Sequence, residues 1–280
     1  MPYVPHSDAV SRVVRGFPHL DTVRASITAL YRRLSPDGVR RYELSLPASD
    51  VAVDALGAAE DGLHLGAQRA ARALVRHLRL PEARMVVAFR AMEHAGSVEL
   101  SAGPEYFVEL NDRFRVHRQD IGAVLAHEVT HVLLHRLGLS FPTTAENEIL
   151  TDVVTTYLGA GWLLLDAFRQ DRLTGQKLGY LTPEEFGYVL AKRSEVFHED
   201  PSPWFTSPVA YEAWQRGREE AARDWRRPPL AGAGRVARRL ARGGDGVFPC
   251  PVCGQRLRVT GARRVKARCG VCRTVLECAP

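Results

Sequence analysis

Apolar residues recur at three- and four-residue intervals from Asp8 to Leu34 and from Asp50 to Leu80, which predicts two amphipathic helical regions. Residues 39–46 partly alternate and are compatible with a strand. Three short β-like runs follow, Met85–Phe89, Ser97–Ser101 and Tyr106–Leu110. Gly96 and Ala102-Gly103-Pro104 punctuate them, as tight connections in a small sheet require. Helical periodicity resumes over Arg118–Leu137 and from Thr144 to about Arg172, then over Pro183–Phe197 and Pro208–Arg226. Pro228-Pro229 stops the last helix, and Ala231–Gly246 is a Gly-, Ala- and Arg-rich linker. The expected class is α+β, mainly helical with a small β-sheet, and no internal repeat is visible. The expected organisation is a helical region over 1–84, a core over 85–227, a basic linker over 228–247 and a satellite domain over 248–280.

Composition narrows the class without naming a function. Of 280 residues, 45% are hydrophobic and 25% charged, which excludes a largely disordered chain, a collagen-like chain and a disulfide scaffold. The net charge of +6 is unevenly placed: Arg226–Pro280 holds 13 basic and 2 acidic residues, leaving residues 1–225 at −5. Only the tail is therefore a candidate for polyanions. The segment Met1–Phe17 lacks the pattern of a secretory signal. The most apolar stretch, Val153–Phe168, is shorter than the roughly 20 residues of a membrane span and contains Asp166, so a buried helix and no membrane are expected. All five cysteines lie in the last 31 residues, which suggests a metal site in a reducing compartment, and hence a cytoplasmic protein.

The first candidate chemistry is His127-Glu128-Val129-Thr130-His131, inside the apolar pattern of Ile121, Val124, Leu125, Val132 and Leu133. On a helix, His127 and His131 are one turn apart on one face and can reach one ion. Glu128, one residue round, can address a water on that ion as general base, as in zinc hydrolases. His135 lies about 80° round from His127 and is expected to pack or face solvent. A third ligand must come from another element, leaving a position open. Leu134 and Leu137 stand where a metzincin would need Gly and His, so that branch is excluded.

The next predicted helix contains Asn147-Glu148-Ile149-Leu150-Thr151-Asp152, and here the chain resembles the gluzincins, the thermolysin-like zinc peptidases. That resemblance implies a zincin-like domain with Glu148 as third zinc ligand and Asp152 as the carboxylate that orients a ligating His, His127 in the first instance. Glu146 competes for the ligand role, but Thr143-Thr144-Ala145-Glu146 fits a capping box that gives Glu146 a structural task. Tyr106–Asn111 resembles the edge strand on which compact gluzincins hold an extended peptide. Residues 126–135 are also similar to small intracellular metallopeptidases that cleave phage and stress-response repressors. Beyond the Glu-x-x-x-Asp helix the chain departs from them, so that substrate does not carry over. A His or Tyr donor to the tetrahedral intermediate is expected, and Tyr157, Tyr180, Tyr188 and His198 all stand as candidates.

The second candidate is Cys250-Pro251-Val252-Cys253 with Cys269-Gly270-Val271-Cys272, two knuckles separated by 15 residues. Four thiolates at this spacing predict a closed structural zinc site, a zinc ribbon, with Gly254 and Gly270 easing the turns and Leu257–Thr260 forming a strand. Cys278 is left as a free thiol. Arg256, Arg258, Arg263, Arg264, Lys266, Arg268 and Arg273 crowd this segment, and Phe248 is its one aromatic. Sequence-independent phosphate contact and an Arg-rich protein-contact module both remain open.

These readings converge on a zinc metalloendopeptidase acting on an intracellular protein or peptide. It would carry one catalytic and one structural Zn2+, with nucleic acid as a possible partner of the tail. Two alternatives stand beside it. The order of peptidase helix then ribbon is similar to the SprT-like proteases, which act on DNA-bound proteins, although their third His is missing between His135 and His198. The other is a non-catalytic binding protein on the same scaffold, against which the intact Glu128 argues.

Overall fold

The computed structural model describes residues 16–53, 60–170, 175–176, 178–225, 227–229, 247–259 and 265–278. The Ala231–Gly246 linker, Arg263, Arg264 and the Cys278 side chain lie outside what is described. The described chain is a mixed α and β protein. Helix α1 (Leu20–Arg40) packs on α4 (Thr144–Thr155), and α2 (Glu60–His77) packs on α3 (Ile121–Leu137). Helices α6 (Pro183–Phe197) and α7 (Pro208–Arg223) form a close pair.

The expected strand over 39–46 is replaced by the end of α1 and an irregular segment. Its partner is a helix rather than a strand. The Leu46 amide donates to the Gly159 carbonyl at 2.9 Å, and the Trp162 indole donates to the Leu46 carbonyl at 3.1 Å. Gly159 belongs to a π turn, Thr156–Ala160, that joins α4 to α5 (Gly161–Asp166), the helix that carries Trp162. The turn lets one helical stretch run over 23 residues, Thr144–Asp166, longer than the apolar run alone implied. It is long and apolar enough to cross a membrane by composition, but 94% of its most apolar window is packed inside the body. This stretch serves as a core helix.

Strands β1 (Arg84–Arg90), β2 (Gly96–Val98) and β3 (Glu105–Asn111) form one sheet in the order β1-β3-β2. Strand β1 runs parallel to β3 from Arg84 opposite Glu105 to Arg90 opposite Asn111, and β2 pairs antiparallel to β3. The strand expected at the sheet edge, Tyr106–Asn111, is thus the central one. The chain returns across β2 before entering β3, so β3 acquires a neighbour on each side. Ser97–Ser101 yields only a three-residue strand before a 3₁₀ turn, Leu100–Ala102.

The two true edges differ. On β1, the Gln68 side chain of α2 donates to the Met85 carbonyl and accepts from the Val87 amide at 3.2 Å. It stands where a neighbouring strand's peptide group would, so that edge is closed to strand addition. On β2, Ala95 and Glu99 bond to Asn111 and Phe107 of β3. Alternation in an antiparallel ladder then turns the amides and carbonyls of Gly96 and Val98 away from β3.

Candidate metal centres

Helix α3 is buried over most of its surface and stops at Gly138, whose φ of 57° closes the last turn. A helix so placed brings His127, Glu128 and His131 into the interior, where each needs a partner or an ion. Helix α4 is aligned by its start. Thr143 accepts from the Glu146 amide and Glu146 reciprocates, which ties Glu146 to the helix end and leaves Glu148 turned inward.

His127, His131 and Glu148 come together as a group able to hold a metal ion. His127 Nε2 lies 3.1 Å from Glu148 Oε2 and 3.1 Å from His131 Nε2, and His131 Nε2 lies 3.4 Å from Glu148 Oε2. Bonds of about 2.0–2.1 Å in a tetrahedral shell place N and O donors about 3.3 Å apart, so this triangle fits one small divalent cation. The far side of each ring is also engaged. His127 Nδ1 donates to Asp152 Oδ1 at 2.8 Å, and His131 Nδ1 donates to Thr151 Oγ1 at 3.3 Å. Both rings thereby present Nε2 to the ion. Helix α4 thus supplies a ligand and both orienting groups from positions 148, 151 and 152, one face of a single turn.

Asp152 is fully buried and also accepts the Leu181 amide at 3.1 Å and the Tyr180 amide. The turn that wraps it requires Gly179, at φ 90°, because a Cβ there would lie 2.7 Å from Asp152 Oδ2. Glu128 is 6% exposed and faces the edge strand: a Cβ on Gly96 would lie 2.9 Å from its Oε1.

The electrostatics follow the geometry. Burial raises the Glu128 carboxyl above its usual range, against the opposing pull of His127 and His131. Burial would do the same to Glu148, but its bonds to the two imidazoles outweigh that and draw it down to about 2. Burial alone would lower His127, yet its bonds to Asp152 and Glu148 hold it well above the ordinary value.

The four donor candidates for the intermediate separate cleanly. Tyr157 is buried and its hydroxyl meets that of Tyr31 at 3.0 Å, and the Tyr188 hydroxyl donates to Asp224 at 3.0 Å. His198 closes the end of α6. Tyr180 alone feels the site: partial burial and then the carboxylates of Glu148, Asp152 and Glu128 raise its phenol. His135 is exposed, as its position on the helix implied. Thr151 and Gly96 escaped the sequence reading. The i+3 spacing of Thr151 from Glu148 was a usable signal, whereas nothing local ties Gly96 to Glu128. His94, two residues before Gly96, also contributes to the field at Glu128.

The second centre is Cys250, Cys253, Cys269 and Cys272, all buried. Cys250 and Cys272 sulfurs lie 3.5 Å apart, and those of Cys253 and Cys269 lie 3.6 Å apart. A tetrahedral shell with metal–sulfur bonds of about 2.3 Å requires about 3.8 Å, whereas a disulfide requires about 2.05 Å. Burial pushes the Cys250 and Cys253 thiols up, the latter to about 11, so a bound cation would be needed to hold them as thiolates. The two knuckles repeat one backbone pattern: Gly254 donates to the Cys250 carbonyl at 2.8 Å and Arg273 to that of Cys269 at 2.9 Å. The left-handed residues are Gly254 at φ 69° and Arg273 at φ 63°. Gly270, expected to ease the second turn, is not the residue that does so, because the strained position lies four residues after the first cysteine of each pair. Hairpins β4 (Val247–Pro249) with β5 (Arg256–Arg258) and β6 (Val265–Arg268) with β7 (Val275–Cys278) carry the knuckles. Arg32 of α1 donates to the Cys253 carbonyl at 3.1 Å. Comparison with models of known families, with curated proteins and with solved structures finds no match to this chain.

Proposed function

We propose that this protein is a zinc-dependent metalloendopeptidase of gluzincin type. His127, His131 and Glu148 would hold the catalytic ion, and the four cysteines a structural one. The observation that carries the reading is the donor triangle with both outer ring nitrogens engaged, beside a buried carboxylate that is not one of its corners. A zinc ion bound there supplies Lewis acidity, lowering the pKa of a water toward neutrality and polarising a carbonyl. Glu128, its carboxyl raised by burial, is suited to take a proton from water and pass it to the leaving amine. Tyr180 is suited to donate to the developing oxyanion. The free groups of Gly96 and Val98 offer an extended substrate backbone a register beside Glu128. Strand addition is therefore proposed at β2, not at the central strand.

The test is Glu128→Gln in the full chain. It should keep two metals per chain by elemental analysis while peptide hydrolysis falls by about 10²–10⁴. Turnover equal to wild type would sink the mechanism. Metal-loaded wild type that cleaves no peptide in a diverse library would favour the non-catalytic scaffold.

One observation favours recruitment by nucleic acid as a second reading. Arg256, Arg258, Lys266, Arg268 and Arg273 are all exposed on the ribbon. Binding through them would be sequence-independent and fall steeply with salt. A carboxylate as third donor separates this reading from the SprT-like pattern.

A further inference from the structure

Away from both centres, α2 and β1 enclose a groove of about 440 Å³. It is lined by Arg72, Arg76 and Arg84, by the apolar Val75, Ala83, Met85 and Val86, and by Gln68 and Glu105. Several arginines elsewhere in the body are engaged. Arg24 bonds Asp21 and Asp224, Arg193 bonds Glu199 and three carbonyls, and Arg216 bonds Glu184. Arg72, Arg76 and Arg84 are exposed, and their side chains form no ion pair or hydrogen bond among the described residues. Arg72 and Arg76 are one turn apart on α2, so their like charges repel across a helix face. Glu105 lies opposite Arg84 in the strand register yet forms no ion pair with it.

We infer that this groove binds a phosphorylated ligand of mononucleotide size. Three arginines lining one groove supply guanidiniums suited to a phosphate, which they can grip with paired hydrogen bonds. The apolar part of the lining has no use for a bare anion and suits a flat or compact organic body. The Glu105 carboxylate would repel a phosphate chain passing through, but accepts from a hydroxyl or amine on a small ligand. The volume lies within the usual range for small-molecule sites, about 300–1,000 Å³. These features disfavour a nucleic-acid strand and inorganic phosphate alike. The site is independent of the peptidase reading.

The test is calorimetric titration of the full chain with AMP, GMP, ribose 5-phosphate, inorganic phosphate and a ten-nucleotide single strand. A mononucleotide should bind saturably, one per chain, and more tightly than inorganic phosphate. Arg72→Gln/Arg76→Gln/Arg84→Gln should weaken it by about tenfold or more. Arg76→Glu alone should weaken it in the same direction, with the melting profile unchanged in both variants. Arg256→Gln/Arg258→Gln/Arg268→Gln, on the ribbon, should leave it within about twofold. The inference is overturned if no mononucleotide binds below about 10 mM. It is also overturned if the groove variants bind as wild type does, if the ribbon variant loses as much, or if only the single strand depends on the groove.

Discussion

The two candidate metal centres solve the same problem in opposite ways. The cysteine centre has four donors of one kind, all buried, on two near-identical knuckles. The His/His/Glu centre has three donors of two kinds, partly exposed, on two long helices, with a further carboxylate beside them. Four soft donors close a shell and leave the ion nothing to do but hold the chain. Three donors leave a position for chemistry, and the orientation lost with the fourth is recovered from Asp152 and Thr151. The first centre ties together only its own two knuckles, whereas the second sits between helices packed on the rest of the body.

The largest break of this contrast should come from a cysteine. Cys253→Ser should cost one metal and unfold the ribbon, since structural zinc contributes about 10–16 kcal/mol to such folds. Amide exchange should rise over 247–278 while the body keeps its second metal and its melting transition. Simultaneous melting of α3 would show that the centres are not separate. At the other centre, Glu148→Ala should release the metal from a body that remains folded. Glu146→Ala should retain it and cost only about 1 kcal/mol of cap stability, seen in thermal melts. A reversed pattern would mean that α4 presents the other face.

Asp152→Asn should weaken metal affinity by about 10–100-fold, measured by competition with a chelator. Thr151→Val should cost less, because its bond to His131 is longer and uncharged. Equal losses would place the burden on packing rather than on ring orientation. The smallest change sharpens the likeness of the two knuckles. Arg273→Gly should stabilise the ribbon by about 1 kcal/mol and Gly254→Ala should destabilise it by a similar amount, because both positions are left-handed. Denaturation of the metal-loaded protein would read both.

Local spacing made much of this legible. Two imidazoles four apart on an apolar helix share a face whatever surrounds the helix, and two Cys-x-x-Cys knuckles need only their own turns. The Thr143–Glu146 cap is likewise a four-residue matter, and with it went the choice between Glu146 and Glu148. Such features depend on neighbours within one helical turn or one loop, so the sequence by itself determined them. Order within the sheet was decided elsewhere: β3 became central because β2 folded back on it, and Gln68 of α2 closed the competing edge. The meeting of Gly96 with Glu128, the wrapping of Asp152 by residues 179–181 and the field of Glu148, Asp152 and Glu128 at Tyr180 join segments tens of residues apart. No periodicity encodes those contacts, because they follow from how helices and strands fill a common core, and only the tertiary structure decided them.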